Sequence, residues 1–151
     1  MKYLIALTVI IFSQSANAGC VIGELHFDQI DRLNVEIDGA RQNLMALAKA
    51  ADALDKMAIR VAHDDVEITF GYYAELALLS ALQGRMQVKA DRAVFDAPFT
   101  KVADVAATTA SDNADFVTVL VSQSKNEAVV REATVMRDKL RQLEAALKCE
   151  M

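Results

Sequence analysis

Tryptophan is absent, proline occurs once, at Pro98, and glycine only five times in 151 residues. The chain therefore carries long stretches without a helix breaker, and alanine and leucine fill them. Two histidines are the whole supply of imidazole, and neither sits in a catalytic pattern. There is no H-E-x-x-H, no glycine-rich phosphate loop and no G-x-S-x-G, and without C-x-x-C-H covalent haem attachment is excluded. Positive charge is in deficit, 16 Lys and Arg against 21 Asp and Glu, for a net charge of −5. That balance argues against nucleic acid and against anionic membrane surfaces as partners.

The hydrophobic run at the start, Tyr3 to Phe12, would span about 15 Å as helix, half of a bilayer core. With Lys2 before it and Ala16-Asn17-Ala18 after it, residues 1–18 read as a cleaved export signal. Removal of Lys2 with that signal takes the net charge from −5 to −6 and leaves residues 19–151 as one domain. A cut just before Cys20 would instead resemble a bacterial lipoprotein signal, although Asn17 stands where those signals usually carry an aliphatic residue. Cys20 and Cys149, one near each end of the mature chain, are the only cysteines. In an exported protein an even count implies a bridge, and only one intrachain pairing exists.

Hydrophobic periodicity sets the architecture. Ile30, Ile37, Leu44, Ala51 and Ala58 form one heptad row, and Leu33, Ala40, Leu47, Leu54 and Val61 the other. Together they predict a long first helix over 24–62. Asp64-Asp65 and Glu67 suit a helix start, so a second helix is expected over 65–95, ahead of Pro98. A third begins at Asp96 or Ala97, but residues 108–123 contain a run of poor helix formers and a β-prone Phe116–Val121, leaving helix, loop and strand open there. Ser124-Lys125-Asn126-Glu127 has the form of a capping box. Beyond it Val129, Ala133, Met136, Leu140, Leu143 and Leu147 make a further amphipathic helix. A break near Ser124 yields four helices running up-down-up-down, which returns the C-terminus to the N-terminus. Without it, Cys20 and Cys149 would lie too far apart to bond. The expected fold is thus all-α, an antiparallel four-helix bundle with a long first helix and its ends joined by a disulfide.

Candidate sites are few. His63, Asp64 and Glu67 are weak candidates for metal ligands, but helix capping accounts for the acids. His26 and Met136 are the residue types that hold haem in periplasmic bundles of the cytochrome b562 kind, yet they do not fall at one level of the bundle, and no cofactor is expected. The stretch FGYYAELALLSALQG is more informative. Gly71, Ala74, Ala77 (or Leu78), Ala81 and Gly84 make a small stripe for close helix approach, while Tyr72, Leu76, Leu79, Gln83 and Met86 make a large apolar one. A helix apolar on two sides is deeply buried or meets a partner on its second face.

The resulting expectation is a periplasmic or secreted, non-enzymatic bundle that binds another protein in the cell envelope, or a copy of itself. Tyr72, Tyr73, Leu76, Leu79 and Met86 are the expected contacts, with Cys20 and Cys149 structural. The alternative is an elongated coiled coil tethered to the envelope, in which Cys149 pairs between chains. That layout resembles phage-encoded envelope-spanning lysis proteins in its N-terminal hydrophobic segment, helices and C-terminal cysteine, and the cleavage site at Ala18 speaks against it.

Overall fold

The computed structural model describes residues 20, 23–87 and 89–150; the export signal expected over 1–18 lies outside them. Helix α1 spans Phe27–Leu47, and Ile30, Leu33, Ile37, Ala40 and Leu44 are its buried row. The seven-residue pattern runs on past Leu47, but the helix does not. Lys49 and Ala50 N–H groups bond back to the Ala46 and Leu47 carbonyls, closing a tight turn. Asp52 then takes an extended conformation and caps a new helix, its Oδ1 accepting from the Leu54 and Asp55 N–H groups at 2.9 Å each.

The expected first helix over 24–62 is therefore two helices, and the longest is α2, Ala53–Gly84, at 32 residues. Periodicity alone does not register this break, because the turn carries neither glycine nor proline and Asp52 is its one punctuation mark. Leu54 and Val61, assigned to the core row, are exposed as a result. Asp64 and Asp65 fall in mid-helix rather than at a helix start. Asp52→Ala should lower stability by about 1 kcal/mol in urea unfolding, the ordinary worth of an N-cap. Asp64→Ala, by contrast, should have little effect.

After α2 the chain forms a short helix α3, Lys89–Arg92, and a 3₁₀ turn, Ala93–Phe95, which leads into α4, Asp96–Gln123. Pro98 sits in the first turn of α4, where its missing N–H costs nothing. Residues 108–123 are helical throughout. Thr108, Thr109 and Thr118 donate their hydroxyls to carbonyls one turn back, at 2.8–2.9 Å, so their polar groups are satisfied within the helix. On the other side Ala106, Ala107, Ala110, Ala114, Val117 and Leu120 are buried, and that packing outweighs the weak propensity.

The chain breaks where expected, by a different device. Helix α5, Glu127–Leu147, is capped by Asn126, whose Oδ1 accepts from the Ala128 and Val129 N–H groups. Ser124 is not the cap. Its hydroxyl donates to the buried Asp55 of α2 at 2.7 Å, which ties the α4–α5 turn to the start of α2.

Cross-links between helices establish the course of the chain. Tyr73 bonds Asp31 and Arg41 pairs with Glu67, placing α2 antiparallel to α1. Asn113 donates to Thr69 Oγ1 at 2.9 Å and to the Asp65 carbonyl at 3.2 Å, fixing α4 against α2. Arg141 bonds Ser111 and Asp115, joining α5 to α4, and Glu36–Lys139 and Asn43–Glu132 close the ring from α1 to α5. The result is the antiparallel four-helix bundle, with Cys20 disulfide-bonded to Cys149 and their Cα atoms 5.5 Å apart. Because α2 and α4 are longer than their neighbours, the last turns of α2 run past the start of α1. There Gln83 Nε2 donates to Asp96 at 3.0 Å and to the Arg92 carbonyl at 3.2 Å. Among the described residues no helix is long and apolar enough to cross a membrane.

Candidate protein-docking face

Helix α2 has two apolar sides. Ile59, Ala62, Val66, Thr69 and Leu76 face the bundle interior and are buried. On the opposite side lies a second row with alternating steps of three and four: Leu54, Met57, Val61, Asp64, Ile68, Gly71, Glu75 and Leu78. Its large members are open to solvent, Leu54 at 62%, Met57 at 65%, Ile68 at 55% and Leu78 at 58% exposure. Near the α1–α2 turn this row merges with α4. Leu54, Met57, Ala58 and Val61 meet Phe116, Val119 and Leu120 around a cleft of about 190 Å³. A row of this spacing is what a coiled-coil seam presents to another helix.

The residues expected to make contact lie elsewhere on α2 or, for Met86, just beyond its end. Leu76 is fully buried. Tyr72, Tyr73 and Leu79 are half-buried and pack against the core, and Met86 is half-buried beyond the end of α2. Leu76 is thus a core residue: the large stripe that contains it points inward, and the unpartnered face lies half a turn away. The small stripe does not admit a helix of this chain. Gly71, Ala74, Ala81 and Gly84 are exposed, and a Cβ added at Gly71 or Gly84 would meet nothing within 4 Å. The signal for the exposed row is present in the sequence as the 3,4 repeat from Leu54 to Leu78. It is masked because Leu54 and Val61 also continue the rows of α1.

His63 Nδ1 lies 3.0 Å from Asp64, while Glu67 pairs with Arg41 at 3.6 Å rather than joining them. Among the described residues no three ligating side chains converge on one point. His26 is exposed beside the first turn of α1, whereas Met136 is buried at mid-height of α5. The Glu36–Lys139 pair sets that level, so the two are separated by roughly 20 Å along the bundle. At the disulfide end, burial pushes the Glu144 carboxyl up, but bonds from Lys148 and Arg141 outweigh it and hold the group below its ordinary range. Between α1 and α2, burial and the bond to Asp31 raise the Tyr73 phenol well above its ordinary value, so it serves as a donor. The chain matches no protein-family model, no curated protein and no solved structure, and its function is read from this geometry.

Proposed function

We propose that this is an exported, non-enzymatic helical-bundle protein that binds another protein in the cell envelope through the outer face of α2. The observation that carries the reading is the exposed row Leu54, Met57, Val61, Ile68 and Leu78, continuous with Val119 of α4. Five large apolar side chains on one helix are far more than solvent exposure needs, and they are spaced to receive a partner helix. Export is supported by the signal-like first 18 residues and by the Cys20–Cys149 bridge. That bridge also uses both thiols, leaving neither for a lipid chain nor for a bond between copies.

The test is site-specific photo-crosslinking in the exporting cell. A crosslinker at Met57 or Val61 should trap one discrete adduct, which Leu54→Asp removes while circular dichroism stays helical. The same probe at Gln42, exposed on α1, should trap none. If neither Met57 nor Val61 yields an adduct, or Gln42 yields the same one, this face is not the docking surface. An adduct of twice the chain's own mass would identify the partner as a second copy.

A further inference from the structure

The occupant of the α2 face can be read from charges and gaps along its exposed row, granted that the face is a docking surface. Two members of the row Leu54, Met57, Val61, Asp64, Ile68 and Gly71 are unlike the rest. Asp64 takes a seam position that is ordinarily apolar, and its side chain is 80% exposed, with the adjacent His63 beside it. Gly71 takes another. A glycine inside a helix costs stability relative to alanine, and packing within this chain does not require it. A Cβ at Gly71 would meet nothing within 4 Å. Flanking the row, Arg60 is exposed and makes no hydrogen bond or ion pair among the described residues. Glu67, one heptad further on, has a side chain 70% exposed, and its contact with Arg41 is a loose 3.6 Å.

Read in the opposite direction, this row complements itself. Against an antiparallel copy with seam positions facing, Leu54 falls over Gly71 of the copy and Met57 over Ile68. Val61 falls beside Asp64 of the copy, and Arg60 comes level with that Asp64 and with Glu67. Every contact occurs twice, about a two-fold axis at the level of Ala62 and His63. Other arrangements lack this match. A shift of one heptad, centred on Val66, gathers Asp64, Asp65 and Glu67 of both copies around the axis. A parallel pair sets Asp64 on Asp64 and Gly71 on Gly71.

We propose that the outer face of α2 binds a second copy of this chain, as an antiparallel dimer in which Arg60 of each protomer pairs with Glu67 of the other. The large and the small residue, and the cation and the carboxylate, stand on one helix in the order that its own reverse requires. From Leu54 to Gly71 the seam is about 25 Å long, a small interface, so the dimer forms reversibly in the micromolar range.

Sedimentation equilibrium of the exported, oxidised chain is the test. Wild type should pass from monomer to dimer as concentration rises, and Leu54→Asp should stay monomeric with unchanged circular dichroism. Arg60→Glu and Glu67→Lys, each alone, should weaken dimerisation about tenfold, because two attractive contacts become repulsive. Mixed in equal amounts, the two variants should regain wild-type affinity, since the mixed dimer has an opposite charge at both contacts. Arg131→Glu, exposed on α5, makes the same change of net charge and should alter dimerisation less than about twofold. Leu78→Asp lies outside the seam and should also leave the dimer intact. A mixture no tighter than its components, or a loss in Leu78→Asp as great as in Leu54→Asp, would overturn the proposal. A wild-type chain that stays monomeric at every concentration would overturn it too. A crosslinked adduct of another mass at Met57 would then show that the docking face stands with a different occupant, and no adduct that both readings fail.

Discussion

Replacing Leu76 by aspartate should unfold the protein, whereas the same change at Leu78, two residues along, should leave the helical circular dichroism and its thermal midpoint close to wild type. The two leucines sit on opposite sides of α2, Leu76 fully buried and Leu78 58% exposed. Loss of a buried leucine costs about 2–5 kcal/mol, and forcing a carboxylate into its place adds several more. Set against a total stability of about 5–15 kcal/mol, that is enough to remove the cooperative transition. At Leu78 the carboxylate stays in water and displaces no packed neighbour. The sequence alone suggests the reverse for Leu76, since its stripe reads as a contact surface that tolerates charge. Thermal melts of the two variants by circular dichroism decide the matter. A Leu76→Asp variant that melts like wild type would mean that α2 is rotated in the bundle.

The second large effect is at the ends of the chain. Cys20→Ser with Cys149→Ser should cost about 4–5 kcal/mol and lower the thermal midpoint by roughly 15 °C. The two residues are separated by 129 positions, so the bond closes nearly the whole folded chain into one loop and removes much of the freedom of the unfolded state. Cys20 is itself buried in the core together with Leu25, ahead of α1. Wild type melted in a thiol reductant should fall to the same midpoint as the double variant. Intact mass with and without reduction and alkylation checks the starting state: two alkyl groups should be gained only after reduction. Equal midpoints for wild type and the double variant would show that the bridge contributes nothing to stability.

Several parts of this fold are legible in residue order. Helix α5 is the clearest case, because Val129, Ala133, Met136, Leu140, Leu143 and Leu147 keep one buried row from end to end. The N-terminal half of the long heptad pattern is equally direct, with Ile30, Leu33, Ile37, Ala40 and Leu44 all buried. The pairing of Cys20 with Cys149 and the break before α5 support each other, since an odd number of long helices would carry the ends apart. Both are found. Residues 108–123 fit helix, loop or strand in the sequence because threonine, serine and asparagine have weak local preference. Burial of the alanine side of α4 against α2 and α5 decided them.

What the sequence determined by itself is the helical class, the antiparallel course and the covalent closure, because each rests on spacing along one chain. Hydrophobic period, chain length and the position of two thiols are one-dimensional quantities. What only the tertiary structure decided is which side of α2 faces inward and where the first helix stops. A helix apolar on two sides offers two nearly equivalent ways to dock, and the choice is made by what the neighbours present. Here Asn113 bonds Thr69 and the Asp65 carbonyl, and Ser124 bonds Asp55, fixing the rotation of α2 from α4 and the following turn. With that rotation set, Leu76 goes into the core, and Leu54, Met57, Val61, Ile68 and Leu78 are left on the surface.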